Sequence, residues 1–140
     1  MSLFIVDASV AVKWFIEEEY SDSALSVLNE SNQLHAPDFL LLEIDSVIMK
    51  WIRRNVISQM EGSGIREALR QYPIQIHPFI SYLDSAFAIT NRTGQSVYDC
   101  LYLALAVLLE GKMVTADRRL YENLSKGPFK KHLLWVEDVD

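Results

Sequence analysis

The chain has little of what usually marks a small-molecule or cofactor site. Cys100 is its only cysteine in 140 residues, so it forms no internal disulfide and no cysteine-based zinc site. A reducing, cytoplasmic compartment is therefore expected. Its three histidines, His35, His77 and His132, stand far apart. They lack the paired spacings of metal motifs, and each reads as a surface or internally satisfied side chain. Basic residues are outnumbered: 13 Lys and Arg face 19 Asp and Glu, a net charge of −6. That balance argues against a generic polyanion binder. It leaves nucleic acid open, because a carboxylate cluster built for a divalent cation would itself make the chain acidic. The longest apolar run, Leu101 to Leu109, falls short of the roughly 20 residues that span a bilayer. No charged leader precedes an apolar core, so neither a signal peptide nor membrane attachment is expected. Glycine and proline are sparse and no stretch is of low complexity. Residues 1–140 read as one domain, long enough for a real core.

What is present alternates between two periods. Leu3 to Val6 is apolar at every position, as in a parallel strand covered on both faces. A helix is expected after Asp7, with Ser9 as its cap, ending near Glu17–Glu19. Ser21 opens another, with Ala24, Leu25, Val27 and Leu28 inward. Leu34 to Ala36 reads as a strand closed by Pro37. Phe39 to Trp51 carries Leu40, Leu41, Ile44, Val47, Ile48 and Trp51 at helical spacing. Ile57 to Arg70 is expected to be helical, Ile74 to His77 extended, and Phe79 to Asn91 helical with Ile80, Leu83, Phe87 and Ala88 inward. Ser96 and Asp99 have capping-box spacing at the start of a helix to Leu109. That helix is apolar almost all round, which predicts a central place, with Tyr98, Tyr102, Leu103 and Leu105 in the core. Met113 to Thr115 is a strand, Asp117 begins a short helix through Leu124, and Leu133 to Val136 is the last strand. Strands alternating with helices predict an α/β sandwich on a mainly parallel sheet. Such sheets bind ligands beyond the carboxyl ends of their strands, where strand order reverses.

Four acids lie at those edges: Asp7, Glu43, Asp99 and Asp117. Taken singly, Asp7 and Asp117 are explained as helix caps, Asp99 as part of the capping box, and Glu43 as a flank residue. A cap contributes only about 0.5–2 kcal/mol. Taken together, three of the four are expected to point at one crevice. Like charges ~5 Å apart repel by about 3 kcal/mol at an effective dielectric of 20, so such a group needs protons or a metal. All-oxygen donors suit Mg²⁺ or Mn²⁺, whose waters can attack a phosphodiester.

Four segments, IVDASVAVKWF, LLEIDSVIMKW, SVYDCLYLALA and MVTADRRL, resemble the PIN-domain ribonucleases, and in particular the small toxins of the VapC type. The likeness covers nearly the whole chain, in order. It implies a three-layer α/β/α fold and metal-dependent endonucleolytic cleavage of single-stranded RNA. It also implies homodimers, and an antitoxin protein whose tail enters the active-site groove. Asp7, Glu43, Asp99 and Asp117 match the family's acidic metal-binding set, and Ser9 and Thr115 stand where it often has a hydroxyl. Ser46 departs from the pattern, where the family frequently has Asn. Asp45, beside Glu43, points about 200° away by helical spacing and reads as surface. Arg118 and Arg119 follow the fourth acid and are candidate phosphate contacts. Two other functions fit parts of the pattern: a Mg²⁺-dependent phosphotransfer domain with Asp7 as nucleophile, and a non-catalytic PIN-like binding module. Against the first, Ser9 stands where a second acid would be needed.

Overall fold

The computed structural model describes residues 2–140. Strand β1 spans Leu3–Val6 and leads into a short helix α1, Ala8–Ala11, continued by a 3-10 turn over Val12–Trp14. Helix α2 (Ser21–Ser26), strand β2 (Gln33–Pro37) and the long helix α3 (Phe39–Arg53) follow. Next come α4 (Gln59–Leu69), β3 (Ile74–His77) and α5 (Leu83–Thr93), the last entered through a 3-10 turn at Phe79–Tyr82. Helix α6 (Val97–Leu108), β4 (Lys112–Thr115), α7 (Arg118–Ser125) and β5 (Leu133–Trp135) complete the order. Among the described residues, no helix is long and apolar enough to cross a membrane.

All strands run parallel, in the order β3-β2-β1-β4-β5. The chain leaves β1 toward β2 and β3, then returns to the other side of β1 for β4 and β5. Strand order therefore reverses between β1 and β4, the place where α/β sheets hold ligands. Ile5 pairs with Met113 and Val6 with Val114, so the next residues on each strand, Asp7 and Thr115, emerge together.

The apolar run of α6 becomes the centre of the molecule: every residue from Cys100 to Ala106 is buried. Burying each large apolar side chain contributes about 1.5–3 kcal/mol. The helix ends at Leu108 and the chain turns through Glu110 in the left-handed region (φ 57°); Gly111 then passes β1 so closely that a Cβ there would lie 2.6 Å from the Leu3 carbonyl oxygen.

Several details differ from the sequence reading. The first helical segment ends at Trp14 and not near Glu17–Glu19, and Ala88 faces outward. The cap of α1 is Asp7, which accepts from the Val10 N–H, and not Ser9. Helix α5 buries Ala86 and Ile89, with Tyr82 just before it, while Ile80 and Phe87 are 69% and 60% exposed. Two apolar stripes exist in that segment, and periodicity alone does not choose between them. Leu25 and Leu41 also face outward. Tyr98 leaves the core and is 56% exposed. The histidines are satisfied internally: His35 Nδ1 lies 2.8 Å from His77 Nε2, and His132 Nδ1 lies 2.9 Å from the Gly111 carbonyl.

Candidate active site

Asp7 is the first polar side chain after β1, and its carboxylate sits at the switch point only 6% exposed. Three donors hold it. Ser9 donates its hydroxyl to Oδ1 at 2.6 Å, Thr115 donates to Oδ2 at 2.6 Å, and the Val10 N–H reaches Oδ1 at 3.1 Å. Each hydroxyl also accepts a backbone N–H from the β4–α7 turn: Ala116 to Ser9 at 2.9 Å and Asp117 to Thr115 at 3.1 Å. A hydroxyl has one proton, so the 3.3 Å Ser9–Thr115 contact is not a hydrogen bond while both serve the carboxylate. The two hydroxyls thus tie β1 to the turn that carries Asp117. Asp117 itself caps α7, accepting from the Leu120 N–H with Oδ1.

Glu43 comes from the second turn of α3 and is half-buried. The Tyr102 hydroxyl, from buried α6, donates to its Oε1. Tyr102 reads as plain core in the sequence. Its signal is that a buried tyrosine hydroxyl needs a partner, and that Tyr102 stands one helical step beyond Asp99. Asp99 enters from the first turn of α6, where its N–H donates to the Ser96 hydroxyl at 3.1 Å. That is one of the two bonds of the expected capping box.

Charge links the acids in a row. Burial pushes Asp7 up to about 7; its three donors oppose this and the Glu43 charge adds to it. Glu43 is raised chiefly by burial, with Tyr102 opposing and Asp99 adding. Asp99 is raised by burial, with Ser96 opposing and Asp117 adding. Among the described residues the ion pairs are Lys13–Glu18 and Arg66–Asp45, so no basic side chain neutralises the row. Among the described residues, no three His, Cys, Asp or Glu side chains stand together as a group that could hold a metal ion. Side chains that offer only oxygen suit a hard cation that keeps several waters and takes one or two carboxylates.

The metal-free protein should therefore show an unusual pH dependence. Asp7 is raised from 3.8 to about 7, so between those values the folded state holds a proton that the unfolded chain releases. Stability then falls as pH rises through that window, by on the order of a few kcal/mol for a shift of this size. Urea unfolding in EDTA at pH 5 and pH 7.5, parent against Asp7→Asn, isolates the effect. Equal pH slopes for the two proteins would sink it.

The remaining sequence candidates lie around the row. Ser46 is exposed on α3, close to Glu43 in a shared groove. Arg118 stacks over the Trp135 ring at 4.6 Å and donates to the Tyr20 hydroxyl at 3.1 Å; Arg119 is exposed. Asp45 pairs with Arg66 through two bonds of 2.6 and 3.0 Å. They line an α3–α4 cleft of about 490 Å³ that contains none of the four acids.

The family model for the PIN domain matches residues 4–124. The chain belongs to the PIN-domain family. Ribonuclease VapC3 of Pyrobaculum aerophilum is 32% identical over 120 residues, covering 84% of this chain and 92% of that one. Among solved structures, a Pyrobaculum aerophilum protein superposes with a TM-score of 0.71 at 19% identity, over 97% of this chain and 85% of the other. A toxin–antitoxin complex from Klebsiella pneumoniae gives 0.62 at 16% identity, over 96% of both chains. These likenesses show the same fold. All four acids, Ser9, Ser46 and Thr115 fall within the stretch matched to the PIN domain.

Proposed function

We propose that this chain is a metal-dependent endoribonuclease that cuts single-stranded RNA, acting as the toxin of a toxin–antitoxin pair. The observation that carries the reading is the row of Asp7, Glu43, Asp99 and Asp117 at the β1–β4 edge. Burial and the charge of a neighbouring acid raise the proton affinity of Asp7, Glu43 and Asp99, and no basic side chain among the described residues pairs with the row. These four would hold Mg²⁺ or Mn²⁺. When bound, the ion supplies positive charge against the phosphodiester and makes an attacking water more acidic.

The chain's own residues do the positioning. Ser9 and Thr115 fix both oxygens of Asp7, and Tyr102 fixes one oxygen of Glu43. Arg118 and Arg119, beyond Asp117, contribute phosphate contacts in this reading. The same geometry weakens the phosphotransfer alternative, because an Asp7 that is 6% exposed and held by three donors is poorly placed to attack phosphorus. The name of VapC3 supports ribonuclease activity, and the Klebsiella complex supports an antitoxin partner. A homodimer in the cytoplasm, with residues 1–140 acting as one PIN domain, completes the proposal.

The test is cleavage of a labelled single-stranded RNA with calorimetry of Mn²⁺ binding. Internal cuts are expected only with Mg²⁺ or Mn²⁺ added, and EDTA should abolish them. Cleavage indifferent to EDTA, or folded protein that binds no Mn²⁺, would overturn the reading.

A further inference from the structure

Tyr98 is an aromatic side chain that folding leaves largely in solvent. It stands immediately before Asp99, is 56% exposed, and lies flat on Phe39, with ring centroids 5.0 Å apart and planes 11° apart. Phe39 in turn packs against the core and sits one turn of α3 before Glu43. The stack is therefore anchored on the core through Phe39 and exposed at Tyr98, and it shares a groove with Glu43. It forms the end of a groove of about 450 Å³ along α3, lined also by Leu42, Glu43, Ser46 and Lys50, within the size range of small-ligand clefts.

We propose that the Tyr98–Phe39 stack is a base platform for the RNA nucleotide beside the scissile phosphate, with Lys50 holding a phosphate further along α3. The inference rests on the endoribonuclease reading and names how that site takes its substrate. Single-stranded nucleic acid is gripped by exposed aromatic faces together with cations along the backbone. This groove supplies both, with the Ser46 hydroxyl between them. From Glu43 to Lys50 the helix rises about 10 Å, far enough for Lys50 to meet a neighbouring phosphate rather than the scissile one. Continuity with Glu43, a member of the acid row, favours RNA over a peptide or a second copy of the chain.

The test uses the full chain with Mg²⁺ and a single-stranded RNA carrying 2-aminopurine beside the cut site. The parent should quench the fluorescent base before cleavage. Tyr98→Ala should lose the quench and raise KM roughly ten-fold, as stacking contributions imply, with kcat within about two-fold. Tyr98→Phe should restore both. Lys50→Gln should lower the salt dependence of KM by about one counterion. A parent that cuts no RNA would overturn the endoribonuclease reading itself. A parent that cuts, with Tyr98→Ala unchanged in KM and quench, would overturn the platform alone. So would a Tyr98→Ala variant that loses only self-association or binding of a protein partner.

Discussion

Asp7→Asn is expected to lower cleavage of single-stranded RNA about 100-fold or more while the protein stays folded. Groups that merely orient a metal ligand are worth 10–100-fold, and Asp7 is read as a ligand. The fold survives because the site can rebalance its protons. Asparagine offers one acceptor and one NH₂ where Asp7 has two acceptors. One hydroxyl then accepts from that NH₂ and turns its own proton toward the other, across the 3.3 Å Ser9–Thr115 contact. Removing a carboxylate that burial disfavours should also make the variant at least as stable as the metal-free parent at pH 7.5. Thermal melts check this directly: Mn²⁺ should raise the parent's Tm and leave the variant's unmoved. Undiminished cleavage by a folded Asp7→Asn protein would end the mechanism proposed above.

Gly111→Ala is expected to be the most damaging of the glycine-to-alanine changes, costing about 1–3 kcal/mol or more by overpacking. The added Cβ would lie 2.5 Å from Leu3 Cδ2 and 2.6 Å from the Leu3 carbonyl oxygen. The side chain can swing away, but the carbonyl belongs to β1, which is paired on both sides. The strain passes to β4, whose last residue, Thr115, holds Asp7, so cleavage should fall with stability. The control is Gly64→Ala on exposed α4, where nothing lies within 4 Å; there alanine should stabilise by about 0.5–1 kcal/mol. Urea midpoints at unchanged slope measure both. If Gly111→Ala unfolds at the parent's midpoint, the close approach is not real.

Much of the site is legible in the sequence because its acids stand at changes of period. Asp7 ends the apolar run of β1, Asp117 follows that of β4, and Asp99 sits in the capping turn of α6. Strand ends and helix starts share one edge of a parallel sheet, so chain-local patterns suffice to bring these acids near one another. Glu43 needs only the phase of α3, where Leu40, Ile44 and Ile48 are buried.

Other features have no local signature. Helix α6 is apolar nearly all round, so its sequence has no phase to show that Tyr98 faces solvent while Tyr102 turns inward to Glu43. Helix α5 offers two stripes, and only packing chose Ala86 and Ile89. Ser9 reads as a cap because nothing in its own segment reveals Thr115, 106 residues away.

The sequence by itself determined the alternation of strands and helices and the four acids at their junctions, since hydrophobic period and first polar residue are properties of neighbours along the chain. Only the tertiary structure decided how those acids are held, which share their charge, and that Tyr98 lies open beside them. Hydroxyl donors, burial and repulsion act through space, between segments that the sheet alone makes adjacent.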